Sequence, residues 1–262
     1  MQRSLMTFVI TVLAGGAVLI AYAPDVLSML FIAIMEAILV AGVFCGVLPV
    51  IRYNQALQRG VWNIQRATGV QTSSTWSAVL GYESFFQQQT LDDFFDEYRA
   101  KVKTQQSSGQ ILCDITEYIN EDELALHSWQ SLVRQIPGMM TSLGILGTFI
   151  GLLIGIRGIG FSTVTDALTS VQTLLSGIQV AFYTSIAGVI LSLLFNIVYG
   201  VAWNMMLRNL GMFTDSFHKN VIPSVEEQTL YRERREYSRI VDLLERLPKI
   251  PEYSTSNPAS SV

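Results

Sequence analysis

Three threonines and a serine stand where polar groups are unusual: Thr141 and Thr148 lie in the apolar stretch 136–156, and Thr184 and Ser185 in a second apolar stretch from about 174 to 207. A hydroxyl donates and accepts hydrogen bonds but does not titrate at ordinary pH. These four residues can therefore hold water, or a carboxylate brought from elsewhere, without carrying charge themselves. One acid, Glu36, stands in Phe31-Ile32-Ala33-Ile34-Met35-Glu36-Ala37. A carboxylate near the middle of a membrane span is costly and faces protein or water, which marks Glu36 as a possible intramembrane acid. A glutamate that is protonated or hydrogen-bonded between helices suits the same position.

Catalytic constellations are missing from the pattern. His127 and His218 are the two histidines; neither has a partner at metal-motif spacing, and no phosphate-binding glycine loop is present. Asp114, Glu117, Glu121, Asp122 and Glu123 lack the spacing of an EF-hand loop and read as a solvated helix face. No enzymatic activity, metal, cofactor or nucleic-acid partner is expected. Cys45 in an apolar run and Cys113 in a polar one imply no disulfide framework.

The hydroxyls need helices to position them. Half of the residues are hydrophobic, 15% are charged and the mean hydropathy is +0.38, against roughly 25% charged residues in soluble domains. The pattern predicts an all-α integral membrane protein with four transmembrane helices: Leu5 to Tyr22, Val26 to Val50, Ile136 to Ile156 and about Leu174 to Leu207. The first run reads as a retained helix rather than a cleaved signal, stopped by Pro24 and followed at once by the second as an antiparallel hairpin. In the third, Gly147, Gly151 and Gly155 repeat every four residues on one face, and Gly144 lies between Thr141 and Thr148. In the fourth, positions 185, 188, 192, 196 and 199 make a small and polar stripe that includes Gly188. Such faces suit close helix packing and a polar pathway alike.

Polar composition divides the rest. Residues 1–50 form an outer hairpin, 51–135 a cytoplasmic helical insert, 136–207 the pore-lining pair, and 208–262 a short helical tail with a disordered end. In the insert, Thr90 is expected to cap an amphipathic helix with acid in its first turn, and 105–110 to be a flexible connector. Residues 157–173 read as a short interfacial turn or helix. Glu226 to Arg246 reads as an amphipathic helix able to associate with copies of itself, too short, at roughly 30 Å, for a long intracellular lever. Of 17 Lys and Arg, only Arg157 falls in an outer loop if both termini are cytoplasmic, which sets the orientation.

Gly144-Ile145-Leu146-Gly147-Thr148-Phe149-Ile150-Gly151 resembles the glycine-threonine signature of the MotA/TolQ/ExbB proton-channel family, and Gly177 to Gly188 resembles that family's following helix, with Thr184 as its threonine. Ile136 to Thr141 and Ala181 to Ser185 are most similar to the ZorA-like members from Zorya anti-phage systems. Thr141 stands where TolQ-like and MotA-like members carry proline, and Gln179 where ExbB-like members carry glutamate. The resemblance implies a proton or sodium channel subunit of an ion-driven rotary motor in a bacterial inner membrane. It further implies a homopentamer around a dimer of a single-span MotB/ExbD/TolR/ZorB-like partner. Thr148, Thr184, Thr141 and Ser185 are then the expected ion pathway, Gly144, Gly147, Gly151, Gly155 and Gly188 the expected packing positions, and the partner the source of the acid. A non-conducting scaffold or a solute transporter subunit is the alternative.

Overall fold

The computed structural model describes residues 2–23, 25–68, 79, 81–108, 110–157 and 164–246. Nine α-helices are assigned among them: α1 (Gln2–Ala21), α2 (Val26–Gly42), α3 (Leu48–Thr68), α4 (Gln89–Ser107), α5 (Glu121–His127), α6 (Gln130–Val133), α7 (Ile136–Arg157), α8 (Val164–Asn220) and α9 (Val225–Arg246). The described residues form no strand, and the chain is all-α. By length and composition, three stretches among the described residues suffice to cross a membrane: Val26–Thr68, Gln130–Arg157 and Asp166–Leu243. The apolar part of α1, Val9–Ala21, is shorter.

Two helices run far past the apolar stretches that nucleate them. A π turn at Val43–Val47 joins α2 to α3 without a break, so composition changes near residue 50 while the helix continues. Pro49 supplies a physical reason for the π turn. It has no N–H to give and its ring crowds the carbonyl a turn earlier, and widening the turn just upstream relieves both. The last helix, α8, has 57 residues, about 85 Å at 1.5 Å per residue. It begins at Val164, earlier than the expected Leu174, and passes Leu207 without interruption because a helix satisfies its own backbone in lipid and in water alike. Pro24 and residues 158–163 lie outside the described residues, as do 247–262, where the disordered end is expected; α1 already stops at Ala21.

The polar part of the chain is built onto the lower third of α8. Phe85, Phe86, Phe95 and Tyr98 pack around Phe213 and Phe217 of α8, with Phe85 and Phe95 stacked 4.8 Å apart and Phe86 edge-on to Phe213 at 5.1 Å. Aromatic rings bury a large area and favour such offset and edge geometries. An Asn209 side chain donates to Asn54 in the buried α3–α8 contact, and the Gln228 side chain binds the Leu112 backbone at both its N–H and its C=O.

Local details depart from the sequence-based expectations here. Gln88 rather than Thr90 caps α4, accepting from Leu91 N–H at 2.7 Å, while Asp92 accepts from the Phe86 and Gln88 N–H groups. The left-handed backbone at Gln87 turns the chain before Thr90, so the helix is already under way there. The expected connector is helical through Ser107, and Gln105 accepts a 2.7 Å hydrogen bond from Cys113 N–H, which fixes it.

The α7–α8 pair as candidate ion pathway

Helix α7 presents Met140, Gly144, Gly147, Gly151 and Gly155 as its buried face within the apolar stretch, a 4-3-4-4 spacing that keeps them in line. Across from them, α8 presents Gly177, Ala181, Thr184 and Gly188, also buried. The approach is near backbone contact. A β-carbon on Gly151 would sit 2.7 Å from Gly177 O, on Gly147 2.5 Å from Thr184 Oγ1, on Gly155 3.3 Å from Leu174 Cα, and on Gly188 2.8 Å from Met140 O. At Gly147, Gly151 and Gly188 such spacing leaves no room for a methyl group, and at Gly155 little; dispersion between closely matched backbones supplies the attraction that lipid cannot.

The hydroxyls divide between this interface and the outside. Thr184 is fully buried against Gly147, and its Oγ1 donates to Val180 O and Ala181 O at 3.0 and 3.1 Å. Thr148 is half-buried, one residue round from the glycine face, and donates to Ile145 O at 2.6 Å. Thr141 is half-buried and donates to Pro137 O at 3.0 Å. Ser185 is half-buried beside Gly144, whose added β-carbon would lie 3.4 Å from Ser185 Cα. Within one protomer, then, Thr184, Ser185, Gly144, Gly147 and Gly188 come together at the α7–α8 contact, while Thr141 and Thr148 flank it.

The fourth-span stripe splits. Gly188 and Tyr199 are buried, Ser185 and Ser192 half-buried, and Asn196 and Gln179 exposed. Tyr199 stacks on Phe195 and Trp203 at 6.2 Å in each case, which makes that end of the stripe part of the core. Elsewhere the outer surfaces of the pair are largely apolar, with Ile145, Phe149, Leu153, Phe182, Ile186 and Leu193 exposed.

Glu36 is elsewhere, on the α1–α2 hairpin, with its carboxylate lying against Gly16. The hairpin is tied to α8 by Tyr183, whose hydroxyl donates to Leu19 O at 2.8 Å. Neither Gly16 nor Tyr183 was singled out from spacing. Both act through contacts distant in sequence, and only the acid in an apolar run hinted at the first.

Below the spans, Asp114 Oδ1 lies 2.8 Å from His218 Nε2 and accepts from the Thr116 N–H and hydroxyl. Burial works to raise its pKa, but the Thr116 and His218 contacts outweigh it and hold the carboxyl below the usual range. No group of three or more His, Cys, Asp or Glu suited to a metal occurs among the described residues, and Cys45 and Cys113 are both free.

The Zorya protein ZorA of Escherichia coli is 45% identical to this chain over 60 residues, which is 23% of this chain and 10% of that protein. A segment running from Phe86, ahead of α4, to Phe213 in the aromatic core takes in both helices of the glycine interface together with the polar helices beneath them. Over these residues, 86–213, the chain matches the MotA/TolQ/ExbB proton channel family.

Proposed function

We propose that this protein is the channel subunit of an ion-driven motor, a homo-oligomer whose α7 and α8 helices surround a single-span partner. The observation that carries the reading is the α7–α8 pair: hydroxyl-bearing, joined glycine to backbone, and without Asp or Glu between Ile136 and Arg157 or between Asp166 and Arg208. A proton crossing hydrocarbon needs a titratable carrier or a water chain. Threonine and serine are neither acids nor bases, so the carrier in this pathway is a carboxyl group of the partner. Thr148 and Ser185, which the α7–α8 contact leaves partly open, face that partner, and Thr184 shapes the wall behind them.

Five copies around a partner dimer, a cytoplasmic location for 51–135 and 208–262, and a bacterial inner-membrane setting complete the proposal. The ZorA relative matches a tenth of its own length, and by this likeness an anti-phage role is one output the motor could serve. Reconstituted vesicles test the reading: ion flux that depends on co-reconstitution with a single-span partner protein supports it. Equal leak with and without that protein overturns it. A non-conducting scaffold is favoured at one residue, Thr184, because it is fully buried against Gly147. The Thr148→Val variant separates the two, since a scaffold loses nothing by it.

A further inference from the structure

We propose that Glu36 is a proton-binding site of the α1–α2 hairpin, separate from the α7–α8 pair, in which Gly16 forms the seat of a carboxyl group that is protonated at neutral pH. Glu36 is ten positions inside α2 from Val26, about 15 Å along the helix, or half the thickness of a hydrocarbon core. Its carboxyl rests on Gly16, where a β-carbon would overlap both oxygens and the carbon between them. Oε2 is buried and has no hydrogen-bond partner among the described residues.

The surroundings offer no counter-charge. Helix α1 carries no ionisable side chain from Val9 to Ala21, α2 carries none besides Glu36, α7 none before Arg157, and α8 no charged residue between Asp166 and Arg208. Tyr183 is the ionisable group that α8 brings to α1, and its proton is committed to Leu19 O. Arg3 lies thirteen positions from Gly16, about 20 Å along α1. An ionised carboxylate with Oε2 buried in this way would hold charge without a partner, whereas the neutral acid leaves at most an O–H unpaired, which costs far less. One bound proton therefore removes the larger cost, that of the uncompensated charge. The absence of a side chain at Gly16 lets the acid stay folded inside the hairpin instead of reaching for an interface.

The test uses the full-length protein in membranes, together with its partner. Infrared spectroscopy at neutral pH should show a protonated-carboxyl stretch that is missing in Glu36→Gln. The apolar carbodiimide dicyclohexylcarbodiimide, which reacts with protonated carboxyls in hydrocarbon, should label Glu36 as read by peptide mass spectrometry. Labelling should fall at least several-fold from mildly acid to alkaline pH. Gly16→Leu, which fills the seat, should reduce it comparably while the oligomer stays intact by native mass spectrometry. Absence of the infrared band, or labelling unchanged by pH or by Gly16→Leu in an intact oligomer, would overturn the proposal.

Discussion

At the residue scale the useful contrast is between Thr148 and Thr184, both hydroxyls in the two signature segments. Thr184 is enclosed between its own backbone and Gly147, and Thr148 looks outward from the same contact. Thr148→Val is expected to lower partner-dependent ion flux several-fold with the oligomer unchanged on native mass spectrometry. Thr184→Val should leave flux nearer to normal. Gly151→Ala tests the wall itself. Its new methyl would meet Gly177 O at 2.7 Å and Ala181 N at 2.9 Å, backbone atoms that cannot rotate away. Overpacking of this kind costs about 1–3 kcal/mol, which should appear as a lowered unfolding temperature in mild detergent. The glycine spacing was legible in the sequence. Which threonine faces inward was not, because residues 147 and 148 differ by about 100° of helix rotation, and only the position of α8 says which direction is occupied.

At the scale of elements, α8 joins two environments, with its apolar middle against α7 and its lower end inside the aromatic core. The core gives the polar helices their stability. Phe213 is fully buried among Phe85, Phe86 and Phe217. Phe213→Ala should cost about 3–5 kcal/mol and expose α4 to limited proteolysis while α7 and α8 stay paired. The Asp114–His218 contact makes the same region acid-sensitive. Because Asp114 has a folded-state pKa below its unfolded one, its contribution is complete above the ordinary carboxylate value of about 3.9 and is lost as pH falls through the lower folded value. Asp114→Asn should flatten that acid dependence of unfolding, measured by tryptophan fluorescence. At Cys113, burial first and the nearby Glu117 next push the thiol pKa up, so it should resist alkylation until this core opens.

At the scale of the molecule, a single protomer leaves much apolar surface uncovered. On the α7–α8 pair, exposed Phe149, Leu153, Phe182 and Leu193 suit lipid or neighbouring copies. On α9, Leu230, Tyr237, Ile240 and Leu243 are exposed beside Arg232, Arg235 and Arg239. Self-association covers such surfaces at little cost in new polar burial. Native mass spectrometry in mild detergent should therefore show an oligomer. Deletion of 224–262 should leave flux and partner binding largely intact, because α9 touches the rest chiefly through Gln228 and the Leu112 backbone. If that truncation removed the biological output while flux persisted, the output would run through the cytoplasm.

The sequence by itself determined that the protein is helical and suited to a membrane, since apolar runs of span length admit few other structures. It also determined the signature segments around Gly147 and Thr184 that carry the likeness to the MotA/TolQ/ExbB family. The tertiary structure decided what those runs do beyond their own length. It carried α2 through a π turn into α3, extended α8 to Asn220, and gathered Phe85, Phe95 and Phe213 into one core. It also set Glu36 on Gly16. Each of these rests on contacts between residues far apart in the chain, whereas periodicity reports only the orientation of neighbours on one helix. A glycine face announces that something comes close; the identity of what comes close is a property of the packed molecule.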